Sequence, residues 1–115
     1  MIKPNDPRML AEALLHRSTC SYRAAAVIAD AHGILSWGWN SSGRDGYGEH
    51  AEAAAIRRAN KRRLPGAIIY VASDRKKSEN AIYSKPCAAC LRLLASCNIG
   101  TIWFRYSKGL WLEAQ

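Results

Sequence analysis

Two short motifs, each at the predicted start of a helix, constrain this chain more than any other feature. The first, His50-Ala51-Glu52, opens an alanine-rich helix predicted from Glu49 to about Lys61. The second, Pro86-Cys87-Ala88-Ala89-Cys90, opens a helix predicted to end near Cys97, and proline suits its start because the missing N–H is not needed there. Both motifs are therefore predicted at helix N-termini.

Three side chains of these motifs are suited to binding one metal ion. Two thiolates on one helical turn and an imidazole from a neighbouring helix supply three of the four ligands of tetrahedral zinc: His50, Cys87 and Cys90. Structural zinc sites usually have four protein ligands, whereas catalytic sites leave the fourth place to water. The positive ends of two helix dipoles also favour thiolates. The set predicts one catalytic zinc ion per chain, with water or hydroxide as its fourth ligand.

Glu52 lies two residues after the histidine and is the predicted catalytic residue. Zinc lowers the pKa of bound water from ~15.7 to ~7, and a carboxylate beside the metal can accept the proton that this water loses. The same carboxylate can then deliver protons to a ring nitrogen and to a departing amine. Glu52 is therefore predicted to be the acid–base group of a hydrolytic deamination.

Other uses of the two cysteines fit the pattern less well. A thioredoxin-like redox pair follows the first strand of a βαβ unit and needs no histidine–carboxylate pair upstream. A structural zinc site needs a fourth ligand, and His16 and His32 have no ligand spacing. A non-enzymatic, zinc-stabilised nucleotide-binding module is the least favoured interpretation, because binding alone needs no proton carrier.

The rest of the chain alternates helical and strand-like segments. Asn5 or Asp6 is placed to cap a first helix that starts at Pro7 and ends before Ser18. Strands are predicted at residues 24–29, 34–39, 67–72, 101–106 and 110–113, with a turn at 30–33 and an irregular segment at 73–83. This order predicts a mixed sheet covered by helices, in a single domain of residues 1–115.

The two motifs resemble those of the zinc nucleobase deaminases, whose signature is His-x-Glu followed by Pro-Cys-x-x-Cys. Residues 22–28, 38–40 and 65–71 also resemble the family's first strand, its asparagine-containing loop entry and the strand before the cysteine motif. The resemblance covers nearly the whole chain. It implies a three-layer, cytidine-deaminase-like α/β fold, with a mixed four- to five-stranded sheet flanked by helices and a short antiparallel or missing last strand.

The resemblance also implies contacts to a substrate. Asn40 would contact the sugar or line the base pocket, and the backbone amide of Ala51 would bind the base carbonyl. Ser84 would accept a hydrogen bond from the amine, although its hydroxyl could equally serve as a local cap. Three aromatic side chains are further candidates for the pocket wall or for stacking on a base: Trp39, Tyr47 and Tyr106.

The choice of base rests on finer features. Cytosine and adenine deaminases share the zinc motif, but tRNA adenosine deaminases commonly place an acidic residue before the motif proline, where this chain has Lys85. Cytosine is therefore preferred. The segment after Tyr106 is shorter than the ~10–12 residues of a crossover to a parallel strand, as in compact free-cytidine deaminases. Those compact enzymes often use cysteine as the first metal ligand. This chain has His50 at that place, as deoxycytidylate and nucleic-acid deaminases have histidine.

The charge bears on the size and chemistry of the partner. Seventeen Lys and Arg against nine Asp and Glu give a net charge of +8, which attracts phosphate. The predicted substrate is a small cytosine nucleoside or nucleotide, of the cytidine, deoxycytidine or dCMP type, with phosphorylated forms favoured. The alternative is cytosine, or less favoured adenine, in single-stranded DNA or RNA that contacts the basic residues 57–63 and 75–77.

The sequence also bears on the cellular location and the oligomeric state of the protein. No segment approaches the ~20 apolar residues of a membrane-spanning helix, and the N-terminus lacks the apolar core of a secretory signal. A cytoplasmic protein with no membrane partner is therefore expected. The resemblance to compact deaminases implies a homo-oligomer.

Overall fold

A computed structural model describes residues 6–42 and 48–114, which form three α-helices, two short 3-10 helices and six strands. The helices are α1 (Pro7–Leu14), α2 (Ala51–Arg58) and α3 (Ala88–Ser96). The strands are β1 (Tyr22–Asp30), β2 (Gly33–Trp39), β3 (Ile68–Arg75), β4 (Ala81–Ile82), β5 (Thr101–Ser107) and β6 (Leu110–Glu113). Within the described residues, no helix is long and apolar enough to span a membrane.

The strands form one mixed sheet in the order β2-β1-β3-β5-β6, with β4 paired to β3. The pair β3–β5 is parallel, and α3 lies in the connection between these two strands. The other pairs are antiparallel, including the hairpin of β1 and β2 and the return of β6 along β5. The predicted mixed sheet and short antiparallel last strand are confirmed, but the two-residue β4 brings the sheet to six strands instead of the predicted four to five.

Helices cover both faces of the sheet, because β1 and β3 present apolar side chains on both sides. On one face, Ile28 and Ile69 pack with residues of α2 and α3. On the other face, Val27 and Ala72 pack against α1. The predicted three-layer α/β architecture is therefore confirmed, with the N-termini of α2 and α3 on the same side of the sheet.

The prediction of an irregular segment at 73–83 is wrong at its two ends. β3 continues to Arg75 because it remains paired with β1 as far as Tyr22, and β4 pairs with the end of β3. The predicted α2 helix is also too long at both ends. It begins at Ala51 and stops at Arg58, since Ala59 is extended and a separate 3-10 turn follows.

A buried ion pair explains how polar residues continue the β1–β3 ladder. Arg23 and Asp74 are both 5% exposed, and two guanidinium nitrogens of Arg23 donate to the two carboxylate oxygens of Asp74 at 2.7 Å each. Such paired, charge-assisted hydrogen bonds satisfy both side chains without water. The strands can therefore extend past the apolar core to the end that carries the candidate site.

Removing one member of this pair is expected to leave the other charge buried and unpaired. Asp74→Asn should lower the free energy of unfolding by about 3–5 kcal/mol, measured by urea denaturation. Arg57→Gln is the matched control, because it breaks the exposed pair with Glu49 and should cost at most about 1 kcal/mol. Equal losses in the two variants would contradict this account of the strand ends.

Candidate active site

His50 and Cys87 occupy equivalent places, each as the N-cap of a helix. His50 precedes α2 and Cys87 precedes α3, both with extended backbone and without a side-chain capping hydrogen bond. Their side chains are therefore not used to cap the helices. The predicted placement of both motifs at helix N-termini is confirmed, although α3 begins at Ala88 rather than at Cys87.

The three predicted ligands come together in space. The Nδ1 atom of His50 lies 3.2 Å from the Sγ atom of Cys90 and 3.8 Å from that of Cys87, and the three ligand atoms lie within 4.8 Å of one another. Tetrahedral zinc with Zn–S bonds of ~2.3 Å and Zn–N bonds of ~2.0 Å needs nitrogen and sulfur about 3.5 Å apart. The observed distances lie on either side of that value, so the donor set fits zinc.

No fourth protein ligand joins this group among residues 6–42 and 48–114. Cys90 is buried, whereas His50 and Cys87 are exposed, so one side of the group is open. An open side is what distinguishes a catalytic zinc site from a structural one. The geometry therefore favours a site that can admit water and a substrate.

The surroundings of Cys90 also suit a cation. Burial, followed by the charge of Glu52, raises the pKa of the Cys90 thiol. Burial likewise raises the pKa of the Glu52 carboxyl, which is 6% exposed in the first turn of α2. A divalent cation held here would stabilise the thiolate and the carboxylate together.

The group opens into a cavity of about 300 Å³ between the sheet and the starts of α2 and α3. Its walls include six of the residues that the sequence predicts for the site: Asn40, His50, Ala51, Glu52, Ser84 and Cys87. One cavity thus contains metal ligands, a buried carboxylate and polar groups that can orient a substrate.

Asn40 joins the cavity to the start of β1. Its side-chain oxygen accepts hydrogen bonds from Ser18 Oγ (2.6 Å) and from the backbone N–H of Ala24 (2.9 Å), and its amide nitrogen donates to the carbonyl of Tyr22 (2.8 Å). One amide hydrogen remains for a ligand. The predicted contact between Asn40 and a sugar or base would therefore use a single donor.

Ala51 and Ser84 present complementary hydrogen-bonding groups to the cavity. Ala51 is the first residue of α2, where a backbone N–H has no partner within the helix, and His50 provides no side-chain cap. Ser84 is 3% exposed, and its hydroxyl donates to the carbonyl of Ile82 at 2.7 Å, so its oxygen still has acceptor capacity. A donor and an acceptor are therefore available to a bound base.

Two of the predicted aromatic contacts are not brought to this cavity. Along β2 the side chains alternate, so Ser36 and Gly38 face α2 while Trp39 packs with the apolar cluster under α1. Tyr106 is exposed and packs edge-on against Tyr83. Tyr47 lies outside the described residues. Trp39 and Tyr106 are therefore not among the residues that line this cavity, and their predicted roles in the pocket wall and in stacking stay predictions.

Among the residues of the cavity wall that the sequence did not predict for the site, three carry polar groups: Tyr22, Ser73 and Lys85. Tyr22 and Ser73 reach the cavity through the pairing of β1 with β3, which local patterns do not reveal. Alternation from buried Val71 to Ser73 would have placed Ser73 on the same sheet face. Lys85 could have been predicted from the sequence, because it directly precedes Pro86 of the cysteine motif.

Gly38 allows α2 to approach β2 closely. A Cβ atom at this position would lie 2.6 Å from the backbone nitrogen of Ala55 and 2.7 Å from the Cβ atom of Ala54. Gly38→Ala should therefore displace α2 and lower the free energy of unfolding by about 1–3 kcal/mol. Because α2 carries His50, zinc affinity should fall as well, measured by competition with a chelating dye. Wild-type stability and affinity would show that this close approach is not required.

Comparison with known proteins gives the same architecture. Residues 5–106 match the cytidine and deoxycytidylate deaminase zinc-binding region. Cytidine deaminase from Burkholderia pseudomallei is 18% identical with a TM-score of 0.73, over 99% of this chain and 93% of that one. The dCMP deaminase of cyanophage S-TIM5 is 18% identical with a TM-score of 0.68, over 94% and 88% of the two chains. No curated protein matches the chain in sequence.

A three-layer fold with an open His-Cys-Cys group defines the class of zinc-dependent deaminases. Within that class, this chain belongs to the cytidine and deoxycytidylate deaminase zinc-binding family. At about 18% identity, the solved structures show the fold alone.

Proposed function

We propose that this chain catalyses the zinc-dependent hydrolytic deamination of a cytosine nucleoside or nucleotide, giving the uracil product and ammonia. The observation that carries this proposal is the buried carboxylate of Glu52, which lines the same cavity as His50 and Cys87. Glu52 has no ion-pair partner among residues 6–42 and 48–114. A binding module would gain nothing from a buried carboxylate of this kind, whereas a hydrolase needs one to move protons.

Different residues of the cavity would bind the metal and transfer the protons. His50, Cys87 and Cys90 would hold zinc, which supplies a nucleophile at neutral pH by lowering the pKa of water from ~15.7 to ~7. Glu52 would accept the first proton of the attacking water and transfer it to the ring nitrogen. It would then take the second proton from the hydroxyl formed on the ring carbon and carry it to the amine, so that a carbonyl remains and ammonia leaves. The raised pKa of Glu52 suits both transfers, because it brings the carboxyl closer to neutral pH.

Two neutral groups orient the base. The N–H of Ala51 donates to the carbonyl of the pyrimidine, and the Ser84 hydroxyl oxygen accepts from the exocyclic amine. This pattern matches cytosine, in which a carbonyl and an amine flank a ring nitrogen. The cavity of about 300 Å³ is at the small end of ligand sites, which supports a single nucleoside or nucleotide as substrate.

A direct assay tests the proposal. The zinc-loaded protein is incubated separately with cytidine, dCMP, adenosine and a cytosine-bearing oligonucleotide, while ammonia release and the ultraviolet spectrum are followed. Turnover of cytidine or dCMP is expected. Turnover of adenosine alone or of the oligonucleotide alone would overturn the proposed substrate, and no turnover of any compound would overturn the enzymatic function.

A polynucleotide substrate has less support, because much of the basic segment 57–63 is used internally. Arg57 pairs with Glu49, and Arg63 donates to both oxygens of Asp30 at 2.8 Å, bonds that lower the pKa of Asp30 to about 2. Lys61 donates to backbone carbonyls at the end of α2. A cytoplasmic location and a homo-oligomeric assembly remain parts of the proposal, testable by fractionation and by light scattering.

A further inference from the structure

The second basic segment, residues 75–77, differs from the first in its relation to the cavity. Arg75 is the last residue of β3 and pairs with Tyr22 of β1. The preceding pair, Arg23 and Asp74, forms its ion pair on the face of the sheet that carries α1. Because side chains alternate along a strand, Arg75 faces the same side as Ser73, which lines the active-site cavity.

By this alternation, Arg75 lies on the cavity side of the sheet, just beyond the residues that line the cavity. Residues two apart in a strand are separated by about 6.5–7 Å, so Arg75 lies one such step beyond Ser73. Its partner Tyr22 is 44% exposed and forms part of the cavity wall, which places this pair at the mouth. A group attached to a bound nucleoside and projecting outward would meet Tyr22 and Arg75.

A second cation stands at the same opening. Lys85 lines the cavity and is exposed, just before Pro86 and the start of α3. Within the described parts of the chain, neither Arg75 nor Lys85 has an ion-pair partner. The two acidic residues nearest to Arg75 in sequence, Asp74 and Glu79, instead approach Arg23, at 2.7 Å and 3.7 Å. The mouth thus carries two uncompensated positive charges.

We propose that Arg75 and Lys85 bind the phosphate of the substrate, so that the preferred substrate is a cytosine nucleoside monophosphate rather than the free nucleoside. This inference rests on the proposed function and adds its specificity. A guanidinium is well suited to a phosphate, since its planar donors bond two oxygens at once. Because the mouth is exposed to solvent, the preference weakens as salt rises.

The test compares kcat/KM for dCMP and deoxycytidine in four proteins: wild type, Arg75→Gln, Lys85→Gln and Arg62→Gln. Arg62 is the matched control, because it is exposed on the 3-10 turn beyond the C-terminal end of α2, and its replacement removes the same charge. The wild type should prefer dCMP by about tenfold or more, and Arg75→Gln should reduce that preference about tenfold, mainly through KM. Lys85→Gln should reduce it in the same direction, and Arg62→Gln should keep the wild-type ratio.

The possible failures are distinguishable. Turnover of both compounds with equal kcat/KM, an unaltered preference in Arg75→Gln, or a preference for a cytosine oligonucleotide over dCMP would each overturn the phosphate site while leaving deamination intact. Absence of all turnover would instead overturn the proposed function. In that case, the binding of dUMP and of deoxyuridine to the protein is measured by titration. Tighter binding of dUMP that is lost in Arg75→Gln would support the phosphate site, and equal binding of the two compounds would refute it.

Discussion

Replacing Glu52 by glutamine is expected to lower kcat by about 10²–10⁴-fold while zinc content stays near one ion per chain. Glutamine preserves the size of the side chain but cannot accept a proton. Glu52 is 6% exposed and lies in the first turn of α2, so an amide of the same size should fit without moving the helix. The measurements are steady-state rates on dCMP and metal content by atomic absorption.

Glu113→Gln is the control for this variant, because Glu113 is exposed on β6 and its replacement makes the same chemical change. It should retain wild-type rates. If Glu52→Gln deaminated dCMP at a wild-type rate, another group would have to move the protons, and the assignment of Glu52 would be wrong.

Cys87→Ala should cause the second large effect, the loss of stoichiometric zinc together with activity. Only His50 and Cys90 would remain of the three ligands, and two ligands do not hold zinc in a tetrahedral site. Because a bound metal stabilises the folded state, a chelator should lower the melting temperature of the wild type but leave that of Cys87→Ala almost unchanged.

Cys20→Ala provides the matched control, since Cys20 lies outside the ligand group. Its zinc content and its response to the chelator should equal those of the wild type. Retention of one zinc ion per chain by Cys87→Ala would refute the ligand assignment, and zinc loss in both variants would point to a general loss of structure.

The reactive part of the site could be predicted because its information is local. His50 and Glu52 are separated by one residue, and Cys87 and Cys90 by one helical turn, so helix geometry alone relates the members of each pair. Pro86 and the alanine-rich run after Glu52 indicated where the helices begin. Because zinc needs more ligands than either pair supplies, the sequence also predicts that the two pairs lie close together. In the structure, the ligand atoms of His50, Cys87 and Cys90 lie within 4.8 Å of one another.

The substrate-facing wall could not be predicted in the same way, because it depends on long-range strand pairing. Whether Trp39 faces the cavity or α1 is decided by the phase of the β2 pleat, and a shift of one residue would reverse it. Ser73 and Arg75 reach the cavity side through the register of β3 against β1. That register is in turn stabilised by the buried pair of Arg23 and Asp74, which no local pattern reveals.

The most direct test of the central claim is the deamination of dCMP in water enriched in ¹⁸O, with the products analysed by mass spectrometry. Hydrolysis at the site of His50, Cys87 and Cys90, with Glu52 moving the protons, predicts dUMP carrying one ¹⁸O atom and one ammonia per product. Treatment with a chelator should abolish the reaction, and added zinc should restore it. Absence of product from the zinc-loaded protein, or product without ¹⁸O, would contradict the claim.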